Sequence, residues 1–170
     1  MNADVSGEDR MQPKKSEAVI NWSFVFPSDA NPQGNMFGGK LLAMMDMVAG
    51  VAASRYAHTQ IVTASTDAII FKSPLYIGDR IEIIARVAWV GTSSMVIKTD
   101  VFGEDPLSGA RKHCTTAHFN FIAIDDNHRP TPVPPLLVET EDEKRDFTVA
   151  ELVKKQSLDR KNQVERPAPV

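Results

Sequence analysis

The sequence predicts an α+β domain, a curved antiparallel sheet wrapped around one central apolar helix, on three observations. The run from about Lys40 to Tyr56 is rich in Leu, Met and Ala, lacks proline and is apolar on nearly every side, as a buried helix requires. The segments after it change to a two-residue period and are joined by short connections, as antiparallel strands permit. Of the 170 residues, 42% are apolar, enough to build the core of one ordinary domain with tails.

The elements follow in order. Residues 1–17 are charged, aperiodic and read as a disordered tail. Ala18 to Phe26 alternates and is rich in Val, Ile, Trp and Phe, a strand. Pro27 to Asn35 is dense in turn residues, and Gly38-Gly39 opens the helix. Ile61 to Phe71 is β-branched and apolar. In Ile81 to Val90 the residues Ile81, Ile83, Ala85, Val87 and Trp89 share one face. Met95 to Phe102 alternates with Lys98 and Asp100 outward, and Lys112 to Ile124 is again strand-like. Pro130 to Pro135 leads out of the sheet. Residues 139–170 form a charged extension, where Thr140-Glu141-Asp142-Glu143 reads as a capping box before a polar helix to about Arg160, with Phe147, Ala150 and Val153 as its apolar stripe.

Burial then predicts assembly. A sheet curled around a helix that is apolar all round cannot cover every side of it, and a second copy supplies the missing wall. The expected partner is therefore this chain itself, as a dimer at least.

Charge and composition exclude several classes. A net charge of −3 gives no footprint for general nucleic-acid binding, and only a local basic patch would serve an anionic ligand. The single cysteine, Cys114, forms no intramolecular disulfide and suits a reducing compartment. Met1 to Lys15 has no apolar core of a signal peptide, and Leu41 to Ala53 is too short to span a bilayer and contains Asp46. The expectation is a cytoplasmic protein without membrane contact.

The chemistry centres on Asp46. Gly39, Ala43, Asp46, Gly50 and Ala53 recur at helical spacings, so a lone carboxylate stands on a stripe of small residues that lets a backbone or thin ligand approach. A carboxylate there is expected to be partly desolvated, which suits a base or nucleophile; the structural alternative is an Asp bonded across a helix or subunit contact. Asn31-Pro32-Gln33-Gly34 is first a turn, and its functional reading has the Asn31 amide positioning water or binding a carbonyl oxygen. Gly38 and Gly39 place backbone N–H groups where an oxyanion would develop. Gly34 to Leu41 is a near miss to a phosphate loop, with Leu41 where a magnesium-binding hydroxyl belongs. His113 is expected to face away from Cys114 and His118, so no metal site is predicted. The α/β-hydrolase motif Gly-x-Ser-x-Gly is not found.

The blocks Asn31 to Asp46, Ile61 to Phe71 and Val90-Gly91-Thr92-Ser93-Ser94-Met95 resemble the hotdog-fold acyl-CoA thioesterases, the bacterial broad-specificity and animal brain-type cytosolic hydrolases, across residues 18–138. The resemblance implies hydrolysis of acyl-CoA to free acid and CoA without metal or organic cofactor. It implies subunits paired through sheet edges, expected to form a trimer of dimers, with active sites between subunits. It places a catalytic carboxylate at Asp46, a catalytic amide at Asn31, and the Thr92-Ser93-Ser94 turn near the pantetheine or nucleotide of CoA. The rivals are a non-catalytic acyl-CoA sensor, which needs an output module that the segment before Ala18 is too short to be, and a hydroxyacyl-thioester dehydratase, which wants a His where none lies between Asn31 and Asp46.

Overall fold

The computed structural model describes residues 11–164. Its elements are β1 (Val19–Phe24), a 3-10 turn (Pro27–Asp29), α1 (Gly38–Ala57), β2 (Gln60–Thr66), β3 (Arg80–Val90), β4 (Ser94–Glu104), β5 (Arg111–Ile124) and α2 (Glu141–Val164). The five strands form one antiparallel sheet in the order β1-β3-β4-β5-β2, which leaves β1 and β2 as the edges. The sheet curls around α1, and α2 lies on the other, convex face. No helix among the described residues is long and apolar enough to cross a membrane.

Alternation builds the core. Ile81, Ile83, Ala85 and Val87 of β3, Met95 and Ile97 of β4 and Phe119 and Phe121 of β5 pack with Leu41, Met45, Val48, Ala49 and Ala52 of α1. Phe121 is fully buried beneath α1 beside Gly50 and pairs with Thr63 of β2. Truncating it removes a large side chain from a dry core and loosens that edge strand. Phe121→Ala is expected to cost about 3–5 kcal/mol, read as a lower denaturation midpoint at an unchanged m-value.

Three bulges change what simple alternation predicts. Between Val87 and Trp89 the β3 register shifts, so Trp89 pairs with Val96 and packs with Ala88, Ala150 and Val153 under α2 rather than with Ile81 and Ile83. A shift at Val101/Phe102 puts His113 on the convex face, where it meets Phe102 and Thr116, the same side as His118 opposite Lys98. The third lies between Thr63 and Ser65. Each extra residue reverses the face of everything beyond it.

Strand β2 ends at Thr66, earlier than its β-branched run suggests; from there the chain runs on beside β5, where Thr115 Oγ1 donates to Ile70 O at 2.9 Å. Of the expected tail, residues 1–10 lie outside the described residues, whereas Lys14 N–H donates to Pro135 O at 3.0 Å and Ser16 Oγ accepts from Val87 N–H at 2.8 Å. The Tyr56 hydroxyl, at 2.9 Å from Pro135 O, ties the end of α1 to the same exit segment. The capping box forms: Glu143 N–H donates to Thr140 Oγ1 at 3.2 Å and Thr140 N–H to Glu143 Oε2 at 2.8 Å. Helix α2 then continues to Val164, docked by buried Ala150 and Val153 and by Lys98 Nζ at 2.7 Å from Asp146.

Helix α1 is not covered all round. Met47 is 65% and Val51 47% exposed, on one stripe with exposed Gly39 and Ala43, next to the edge strand β2 whose Val62 is 42% exposed. The small-residue stripe drawn from spacing therefore winds: Gly39 and Ala43 are open, Asp46 and Gly50 half-buried, and Ala53 is fully inside.

Candidate active site

Asn31 stands at the head of the turn before α1. Gly34 N–H donates to Asn31 O at 2.9 Å, and Gly34 takes φ +79°, a left-handed conformation that glycine adopts without strain. The Asn31 Oδ1 accepts two backbone N–H groups, from Gln33 at 3.0 Å and Asn35 at 3.1 Å. Those bonds fix the amide orientation and leave Nδ2, with no partner among the described residues, as a donor. Asn31 lines a pocket of about 390 Å³ with Gly38, Leu41, Phe71, Lys72 and Leu75.

Gly38 and Gly39 open α1, so their N–H groups precede the first carbonyl that an intrahelical bond can use. A Cβ on Gly38 would make ordinary contact with the Phe71 ring at 3.4 Å, whereas one on Gly39 would lie 2.6 Å from the exposed Phe37 ring, which would have to shift. Glycine here lets a backbone donor sit beside two aromatic side chains. Gly38 shares the Asn31 pocket; Gly39 is exposed at its rim.

Asp46 lies two helical turns further on, about 12 Å along the axis from Gly38. Its Oδ1 accepts a hydrogen bond from Thr63 Oγ1 at 3.0 Å, and its Oδ2 has no partner among the described residues. The pair stands at the open flank of α1, with exposed Met47 one residue away. Within one chain Asp46 does not line the Asn31 pocket. The fold thus brings Asn31 and Gly38 together, brings Asp46 and Thr63 together, and leaves the two pairs on separate walls.

Thr63 was not singled out from the sequence. Its signal was available: Ile61 and Thr63 share the face of β2 that turns toward the helix, so a hydroxyl stands where an apolar residue is expected. Thr63, Phe121 and Met95 form one row across β2, β5 and β4, and the Thr92-Ser93-Ser94 turn begins immediately beyond it. That turn is held by backbone bonds, Gly91 N–H to Ser94 O at 2.8 Å and Val133 N–H to Thr92 O at 2.9 Å. It is not part of the Asn31 pocket.

Known proteins resemble this chain in sequence and fold. The sequence profile of the Thioesterase superfamily matches residues 33–110. An uncharacterized acyl-CoA thioester hydrolase of Bacillus subtilis is 39% identical over 129 residues, 76% of this chain and 75% of that one. A crystal structure of a hexameric acyl-CoA thioesterase superposes with a TM-score of 0.83 at 34% identity, covering 92% of this chain and 99% of the other. The acyl-CoA hydrolase of Staphylococcus aureus, solved with butyryl-CoA, CoA and CoA disulfide, gives 0.82 at 31% identity, covering 88% and 91%. Variants of that hydrolase have been solved with alanine in place of an aspartate, an asparagine or a threonine; its aspartate follows the asparagine by 15 positions and its threonine follows the aspartate by 17. With a curled sheet around a central helix and these similarities over most of its length, the chain belongs to the thioesterase superfamily.

Proposed function

We propose that this chain hydrolyses acyl-CoA thioesters to a free carboxylic acid and CoA, in the cytoplasm, at sites that form between two copies. The observation that carries the reading is the Asn31, Asp46 and Thr63 set. Asp46 follows Asn31 by 15 positions and Thr63 follows Asp46 by 17, the separations of the three residues replaced in the Staphylococcus aureus hydrolase. The buried free Cys114 fits a reducing compartment. The hexameric relative and the exposed Met47, Val51 and Val62 beside edge strand β2 support pairing through α1 and β2 and further assembly into a trimer of dimers.

The chemistry follows from the donors and acceptors. Thr63 holds Asp46 Oδ1, so Oδ2 is presented to the open flank. There it takes a proton from a water that attacks the thioester carbonyl, or attacks the carbonyl itself and is regenerated by water; both routes end with the carbon–sulfur bond broken and the thiolate leaving as CoA. Asn31 Nδ2, freed by the two bonds to its Oδ1, donates to the carbonyl oxygen as it gains charge, with the Gly38 N–H as a second donor. Of the two roles expected for Asn31, these two bonds support the carbonyl donor. The reaction needs only these groups and water, CoA being part of substrate and product. The Thr92-Ser93-Ser94 turn is assigned to the CoA arm. Thiol release measured across acyl-CoA chain lengths tests the activity; no release from any of them contradicts it.

Thr63 acts through Asp46. Thr63→Val keeps the shape and removes the hydroxyl, and is expected to lower kcat between about tenfold and about a hundredfold, the scale of a misplaced reacting group. KM should change little and Thr63→Ser should restore turnover. Equal losses in Thr63→Val and Thr63→Ser would assign the position to packing.

The shared site is tested by mixing. Asn31→Ala and Asp46→Asn, each inactive alone, are unfolded and refolded together. A mixed dimer then carries one site with both residues intact. Random pairing makes about half of the dimers mixed, so activity recovers to about a quarter of wild type when sites are independent. Verified subunit exchange without recovered activity would mean that each site takes both residues from one chain.

A further inference from the structure

The Asn31 pocket has an apolar floor. Three buried side chains, Met36, Leu41 and Leu75, form it, and Lys72, exposed at the rim, is the one charged residue lining the pocket among the described residues. A thioester carbonyl held by Asn31 carries two arms. The CoA arm is polar and charged, and burying it against such a floor is costly. The acyl arm is apolar and gains from the same burial. On the thioesterase reading above, the acyl arm therefore enters this pocket.

Leu75 is the part of the floor whose position a single missing atom controls. Met36 N–H donates to Leu75 O at 2.8 Å, which fixes where the Leu75 side chain starts. Its far end lies over Gly103, a buried glycine inside β4. Glycine in a strand interior weakens the strand and marks a close approach by another group. Here that group is Leu75: a Cβ on Gly103 would stand 2.5 Å from Leu75 Cδ2. The added methyl has no room to retreat, because Cys114 Sγ and Lys112 Cε would each lie 3.3 Å from it. With its backbone held and the sheet behind it, the Leu75 side chain yields toward the pocket that it lines. The absent Cβ of Gly103 thus lets Leu75 sit back from the pocket.

We propose that Leu75, with Gly103 behind it, sets the longest acyl chain that this site accepts. Leu75 meets the end of the chain and determines specificity; Gly103 is a positioning residue that acts through Leu75. The pocket encloses about 390 Å³, near the lower end of the range for small-molecule sites. A shift of one methyl group in its floor is therefore a sizeable part of the space that an acyl chain can use.

The test measures kcat/KM with acetyl-, butyryl-, octanoyl- and palmitoyl-CoA for wild type, Leu75→Ala, Gly103→Ala and the double variant. Circular dichroism and the denaturation midpoint check the fold. Leu75→Ala moves the preference to longer chains and Gly103→Ala to shorter ones. Each changes the long-to-short ratio of kcat/KM at least about tenfold, the scale of one methylene group in an apolar pocket. Combined with Leu75→Ala, Gly103→Ala does little, because the atom it would strike is gone. A role in packing alone lowers kcat/KM for every chain alike. That result, or a Gly103→Ala effect that persists without the Leu75 side chain, overturns the proposal. Should Gly103→Ala fail to fold, Leu75→Ala decides by itself, and an unchanged chain-length profile overturns the proposal. A wild type that cleaves thioesters while the variants keep its profile removes only the role of Leu75; a wild type that cleaves none removes the proposed activity together with it.

Discussion

Asp46→Asn lowers turnover at least about a hundredfold and leaves the fold intact: this is the largest single-residue effect expected, and it matches the scale of general-base contributions. The substitution is nearly isosteric. It leaves an oxygen to accept from Thr63 Oγ1, as Asp46 Oδ1 does now at 3.0 Å, and replaces the basic oxygen by an amide nitrogen that neither accepts a proton nor attacks a carbonyl. Asp46 is half-buried at the flank of α1, outside the sealed core, so the exchange strands no charge and disturbs little packing. Steady-state thiol release gives the loss, and thermal denaturation gives the control. A folded variant that turns over near the wild-type rate would make Asp46 a structural residue bonded to β2 and would end the mechanism.

Met47→Glu combined with Val51→Glu is expected to yield a folded monomer without measurable thioesterase activity. Both side chains project from α1 into solvent in the single chain, at 65% and 47% exposure, so charges there cost the isolated fold little. Covered by a second copy, the same charges would be desolvated against an apolar surface without partners, at several kcal/mol per group. On the shared-site proposal activity falls with assembly, because Asp46 does not line the Asn31 pocket within one chain. Light scattering during size exclusion reads the mass and thiol release reads the activity. An active monomer at assay concentration would contradict the shared site.

The motif around α1 was legible because its constraints are local. A turn that needs Asn31 and a positive-φ Gly34, a helix opened by two glycines, and one carboxylate in an otherwise apolar helix can all be read from spacing. Thr63 was less legible because its role depends on a partner 17 residues away across a strand–helix contact. The misassigned faces of Trp89 and His113 have one cause: period-2 reasoning assumes an uninterrupted ladder, and each lies next to a register shift that no residue type announces.

By itself, then, the sequence determined the order of elements, the burial of one side of α1, the capping box of α2, and the residues Asn31, Gly38, Gly39 and Asp46 as the chemical candidates. Those properties follow from period, turn chemistry and side-chain type, which act over a few residues. Only the tertiary structure decided that Asn31 spends its oxygen on the turn and keeps its nitrogen as a donor, that Asp46 accepts from Thr63, and that these two candidate pairs stand apart in one chain. It also decided that Asn120, Ser65 and Ser157 meet beneath α2 on the convex face. These depend on which atoms the curled sheet brings within hydrogen-bond reach, and a strand's twist and bulges set that through contacts distant in the chain.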